Sequence, residues 1–351
     1  MTKRFQVVGI GNAIVDVITQ NTDDFLEHMG IEKGIMQLVE KERGETLYGA
    51  MENRVQAPGG SVANTLAGLG NLGLSTGFLG RVRDDSLGRF YAHEMAEDGT
   101  VFVNAPVKDG ELPTSRCMIF VTPDGERSMN TYLGISSEIS EADVPEEAAR
   151  DTEVMFLEGY LYDKDKGKAA FNRAAEITHK AGGKVGISLS DPFCVERHRD
   201  DFRRFVKEMD FVIGNEHEWQ SLYQTDLSAA LELAAAECGL AVCTRSGADV
   251  VLMQGEKEAV VPVNRIDPVD TTGAGDQFAA GFLAGYALGH DLETCGRMGV
   301  IAAGEVISHI GPRPEANQLA EWYEEHLAFY SYRNIVKPGL TGWAQVNQGH
   351  V

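Results

Sequence analysis

The chain has 351 residues with 43% hydrophobic and 24% charged side chains, a balance that excludes disordered and fibrous classes and allows one large core. Lys and Arg number 31 against 53 Asp and Glu, and the net charge of −22 repels phosphate backbones and anionic lipid surfaces, so neither nucleic acid nor membrane is expected as a partner. An anionic ligand must then be held by a local device.

The first residues carry two basic side chains, but Gln6 and Asp16 interrupt the apolar stretch and no cleavage site follows. No segment reaches the roughly 18 apolar residues of a membrane span. The five cysteines, Cys117, Cys194, Cys238, Cys243 and Cys295, are scattered without a CxxC pair, which predicts neither disulfides nor a zinc knuckle and fits a reducing cytoplasm.

In chain order, Phe5–Ile10 and the runs 154–157, 184–189, 211–213 and 240–244 are short and β-branched, and segments of helical period separate them. This alternation predicts an α/β fold with a mostly parallel sheet flanked by helices. After the first strand, Asn12 and Asp16 fall near its carboxyl end, the usual ligand edge of such a sheet. The Gly9-Ile10-Gly11 turn lacks the third glycine of a dinucleotide site. Two regions, 33–57 and 113–133, break the rhythm with strand-like pieces at 35–39, 116–121 and 128–132, and read as a small β lid.

Between these regions, 57–73 contains Pro58-Gly59-Gly60 as a bend, Ser61 as an N-cap, and Asn64 one turn into a small-residue helix. Asn215-Glu216-His217-Glu218 follows a strand and places Asn215 and Glu218 on one helical face. That spacing suits either a hydrated magnesium ion or a capping box. His217 has no metal-ligand partner at useful spacing. The strongest chemistry lies at 270–289, where Asp270-Thr271-Thr272-Gly273-Ala274-Gly275-Asp276 opens an apolar helix. Unpaired N–H groups and the dipole make that helix start an anion hole, and Asp276 beside it suits a general base for an attacking hydroxyl.

Together these segments resemble the ribokinase-like (pfkB-type) carbohydrate kinase family, which includes adenosine kinase and fructokinase. Residues 270–276 are similar to its C-terminal signature and Gly59-Gly60-Ser61-Val62-Ala63-Asn64 to its N-terminal one, with Asn215 to Glu218 between them. The resemblance covers about residues 4 to 330 and implies a ribokinase-like kinase domain over residues 1–330. It also implies transfer of the γ-phosphoryl group of ATP to an alcohol.

Carried over residue by residue, the resemblance implies that Asp276 is the base and that the Gly273, Ala274 and Gly275 N–H groups stabilise the transferred group. It places Asp16, Gly59, Gly60 and Asn64 on substrate hydroxyls, with Asn12 and Asp84 lining the cleft, and Asn215 and Glu218 at Mg2+ and phosphate. Thr244, Ser246 and Gly247 fall at the ATP site, although Thr244-Arg245-Ser246-Gly247 departs from the family's Thr-x-Gly-x-x-Gly. Members often bind K+ through backbone oxygens, here near Asp270 and Thr272, and occur as monomers or homodimers. The acceptor is a small molecule. The look of several segments favours a nucleoside of the adenosine type or a neutral sugar, with Met36, Phe120 and Tyr132 as candidates to clamp a base. A phosphosugar or sugar acid would call for cations such as Arg81, Arg83 and Arg116. A silent sugar-binding regulator on the same scaffold is the alternative outside catalysis. Residues 331–351 leave the kinase pattern and are similar to a short motif of bacterial sugar-1-phosphate transferases, which reads as a non-catalytic tail.

Overall fold

The structure is a computed structural model that describes residues 3–124, 126–266, 268 and 271–308. The strands, in chain order, are β1 (Phe5–Ile10), β2 (Ile14–Gln20), β3 (Met36–Leu38), β4 (Val55–Gly59), β5 (Thr76–Leu79), β6 (Thr100–Phe102) and β7 (Ser115–Val121). They continue as β8 (Arg127–Tyr132), β9 (Thr152–Glu158), β10 (Lys184–Ser188), β11 (Phe211–Asn215), β12 (Ala241–Arg245), β13 (Ala248–Gln254) and β14 (Lys257–Val261).

A nine-stranded sheet runs β14-β13-β12-β11-β10-β9-β1-β5-β6. It is parallel from β12 to β6, and β13 and β14 extend it as antiparallel strands. Its central strands are buried on both sides, which is why they read as continuous apolar runs. Successive side chains enter opposite cores. Val7, Val154, Phe156 and Phe211 join one cluster, while Val8, Ile10, Met155 and Val212 join the other. The chain lays strands outward on either side of β1, so the order reverses between β1 and β9, and a ligand crevice is expected at their carboxyl ends.

The second sheet, β3-β8-β7-β2-β4, is the expected lid, and it differs from the sequence expectation in two ways. Ile14–Gln20 leaves the main sheet and becomes the lid strand between β4 and β7, so Asp16 stands in the lid rather than at the end of β1. Lys41–Ala50 within the expected β region is a helix that packs on the lid, where a Cβ on Gly44 would lie 3.2 Å from Tyr132. Phe120 and Tyr132 turn toward the lid's helices, with Phe120 against Phe25 at 5.7 Å, so both are lid core rather than clamps for a base. Among the described residues no helix is long and apolar enough to cross a membrane. Residues 331–351 and Asp270 lie outside the described residues.

Candidate active site

Two helices meet at the sheet's ligand edge. Ser61–Asn71 begins after Gly60 and Ala274–Ala287 begins after Gly273, with φ of +103° and +77° at the two glycines. A side chain at Gly60 would collide with the Asn12 carbonyl, its Cβ only 2.1 Å from that oxygen, so glycine is required for both space and conformation. Pro58 and Gly59 belong to β4 rather than to a bend, and Gly60 rather than Ser61 is the N-cap residue.

Ser61 is thereby released from capping. Its Oγ donates to Asp276 Oδ1 at 2.6 Å, and Asn64 Nδ2 donates to Asp276 Oδ2 at 2.9 Å. Thr65 Oγ1 donates to the Asp276 carbonyl at 3.1 Å, and Gln277 Nε2 to the Asn64 carbonyl at 3.0 Å. Gly68 lets the helices close to this distance, since a Cβ there would meet Ala280 at 2.8 Å. Asn64 therefore faces the carboxylate, not open space. The Ala274 N–H, expected in the anion hole, donates to the Thr271 carbonyl at 3.2 Å, while a Cβ on Gly275 would meet nothing within 4 Å. That open space in front of Gly275 is where an anion can approach the backbone.

A cavity of about 190 Å³ joins Ser61, Gly275 and Asp276 to Ser188, Ser190, Asn215, Glu218 and Thr244. It is smaller than the several hundred Å³ of a drug-sized pocket. It suits a phosphoryl group and a hydrated ion, and a whole nucleotide has to extend beyond it. Asn215 and Glu218 form the capping box, with Asn215 Nδ2 donating to Glu218 Oε1 at 2.7 Å, and they line the cavity as well. Burial pushes the Glu218 carboxyl up to about 7 against the pull of the Asn215 N–H. Among the described residues no three His, Cys, Asp or Glu side chains gather into a metal cage. Asn215 and Glu218 are the cavity residues that could take part in holding a hydrated ion, which keeps most of its own waters.

Ser246-Gly247 is a tight turn between β12 and β13, with Ser246 at φ +51° and the Gly247 carbonyl accepting from Arg265 at 3.1 Å. Only Thr244 of that group lines the cavity. Asp16 lies over Gly59, where a Cβ would be 2.6 Å from its carboxylate, so Asp16 and Asp276 stand on either side of Gly60. Asn12 is turned inward, donating from Nδ2 to Glu158 at 2.7 Å and accepting from Ser136 at 2.9 Å. Asp84 is exposed and paired with Arg89 at 2.7 Å, whereas its neighbour Asp85 caps a helix and binds Thr114. No described contact brings Asp84 to the other site residues.

Three residues at the site escaped the sequence reading. Glu158 ends β9, fully buried, and accepts from Asn12 N and Nδ2 and from Val62 N. Burial is the main cause that pushes its carboxyl up to about 7, and the Asp276 charge adds to it. Its only signal was a charge closing an apolar strand at the ligand edge. The Gly9-Ile10-Gly11 pattern finds its reason here and in packing: a Cβ on Gly11 would strike Glu158 at 2.6 Å, and one on Gly9 would strike Val62 at 2.4 Å. Ser190 holds φ +70°, a strained value for serine, beside Ser188 at 2.7 Å. Arg127 at the start of β8 donates to Thr272 Oγ1 at 3.3 Å, joining the lid to the loop before Asp276.

Solved structures share this fold. A probable sugar kinase from Rhizobium etli is 43% identical and adenosine kinase from Sinorhizobium meliloti is 44% identical. Each superposes with a TM-score of 0.83 over 92% of this chain and 99% of its own. A fructokinase from Klebsiella pneumoniae is 30% identical over 71% of this chain and 88% of its own length. A bacterial sugar transferase family matches residues 300–351, of which 300–308 are described and fall mostly in the helix Leu292–Val306. The pfkB family carbohydrate kinase model matches residues 14–318, and the chain belongs to that family, as a kinase that phosphorylates a hydroxyl acceptor.

Proposed function

We propose that the chain transfers the γ-phosphoryl group of ATP to a ribose hydroxyl of a nucleoside of the adenosine type, with Asp276 as general base. The observation that carries this reading is the Asp276 carboxylate, held by Ser61 and Asn64 at the mouth of a glycine-opened helix. The acceptor hydroxyl donates its proton to Asp276 as its oxygen attacks the γ-phosphorus, and the bond to the ADP oxygen breaks. Charge building on the phosphoryl oxygens is met by the helix start at Gly273 to Gly275. Glu218 and Asn215 would help hold a hydrated Mg2+, which would supply charge neutralisation at the phosphates. A potassium ion near the backbone oxygens of Asp270 and Thr272 belongs to the same proposal.

The ribose lies over Gly59 and Gly60, with Asp16 at one end and Asp276 at the other. Beside Asp16 the same lid face carries Cys117, Thr131 and Leu38, and the next row carries Ile18, Ile119, Met129 and Met36. Met36 and Leu38 are 49% and 58% exposed, an apolar surface suited to a base and of no use to a free sugar. Of the described arginines that a phosphosugar would call for, each is engaged elsewhere. Arg81 is paired with Asp143 at 2.9 Å, Arg83 is turned to backbone carbonyls, and Arg116 lies over the Tyr48 ring. ADP release with ATP, Mg2+ and K+ across adenosine, other nucleosides, ribose, fructose, 2-keto-3-deoxygluconate and fructose phosphates tests the reading. Adenosine or another nucleoside gives the highest kcat/KM. Preference for a phosphosugar, or silence with every acceptor, overturns it.

A further inference from the structure

Both carboxylate oxygens of Asp276 accept from side chains of one helix. Ser61 donates to Oδ1 and Asn64 to Oδ2, so both oxygens that could take a proton face a donor of the same helix. The two partners differ in freedom. Asn64 is buried on the second turn, and its own carbonyl is bound by Gln277. Ser61 is the first residue of the helix, partly exposed, lines the cavity with Asp276, and moves its hydroxyl by rotation about one bond.

We infer that Ser61 is a placeholder for the acceptor hydroxyl: it occupies Asp276 Oδ1 in the empty cleft, keeps that oxygen from deprotonating water, and yields it to the acceptor. This rests on the reading of Asp276 as the base. The reaction it suppresses is hydrolysis. A water oxygen attacks the γ-phosphorus, its proton passes to Asp276, the bond to the ADP oxygen breaks, and ADP and phosphate result. The acceptor competes with Ser61 successfully because Asp16 and the Gly59–Gly60 backbone bind the rest of it, whereas a lone water has no such anchorage. Ser61 is thus a positioning residue that acts through Asp276.

The test compares phosphate release from ATP and Mg2+ without acceptor against ADP formation with the best acceptor, for the full chain and for Ser61→Ala, Ser61→Thr and Asp276→Asn. Ser61→Ala is expected to raise the ratio of hydrolysis to transfer about tenfold or more. Ser61→Thr, which keeps the hydroxyl, stays near the parent ratio. An unchanged or lowered ratio in Ser61→Ala overturns the inference, since loss of packing alone slows both reactions together. Should that variant fail to fold, Ser61→Gly makes the same comparison. If Asp276→Asn keeps normal transfer, the assignment of the base fails instead, and the two failures are told apart. In the Ser61→Ala, Asp276→Asn double variant the added hydrolysis disappears, and its persistence also counts against the inference.

Discussion

Glu158 ties three backbone elements together with one carboxylate. It receives the N–H and side-chain amide of Asn12, where the chain passes from β1 into the lid, and the N–H of Val62, at the head of the helix that carries Ser61 and Asn64. Three donors favour the ionised form, and complete burial opposes it more strongly, leaving the group near pH 7 against an ordinary 4.5. The sign follows from proton binding. Between about pH 4.5 and 7 the folded chain holds a proton that the unfolded chain has lost, so this contribution to stability is full below 4.5 and is lost as pH rises through 7. Glu158→Gln is expected to flatten the fall in unfolding free energy between pH 5 and pH 8 by up to about 3 kcal/mol, measured by urea denaturation at each pH. An unchanged slope would mean that Glu158 is ionised throughout. At this scale the sequence was legible where residue type implied chemistry. Asp276 falls in the first turn of the helix that its motif marks, and Gly60 takes the positive φ that glycine allows. The pairing of Asn12 with Glu158 was not legible, because it joins residues far apart in sequence and depends on a register no local pattern encodes. Ser61 was read as a cap because serine before a helix usually is one. Gly60, able to adopt φ +103°, takes that position and frees the hydroxyl for Asp276.

The lid is the element that the alternation of residues rendered least well. Its strands β7 and β8 were legible as strand-like pieces. Strand β2 was hidden because it follows β1 after only a short crossing and continues the same kind of sequence. The helix Lys41–Ala50 has charges and glycines without a clear apolar stripe, so nothing local separated it from the surrounding loops. β2 carries Asp16 over Gly59 and β8 carries Arg127 to Thr272, so under the proposed function the lid would reach both the acceptor and the phosphoryl side. Arg127 is bound to Thr272 and stands beside the loop that leads into the anion hole. Arg127→Ala is expected to lower kcat about tenfold while leaving the unfolding free energy within about 0.5 kcal/mol of the parent, as for a surface-side pair. Loss of stability with unchanged kcat would reduce Arg127 to a structural strut.

For the molecule as a whole, composition and strand rhythm were enough for the architecture, since a parallel sheet buried on both faces leaves its mark on every strand it contains. The site was legible in part, because its two glycine-led helix starts are local motifs, and their meeting at Asp276 is a tertiary fact that the motifs only imply. With a charge of −22, the protein offers a triphosphate no general attraction, so its binding has to come from a local device such as the helix start. The central claim is that a single carboxylate takes the acceptor's proton at that helix start. Its most direct test is Asp276→Asn, assayed for ADP release with the best acceptor and for ATP binding by calorimetry. The account predicts that transfer falls by about 10³-fold while ATP affinity stays within about threefold of the parent chain. Turnover close to the parent rate in that variant would contradict it.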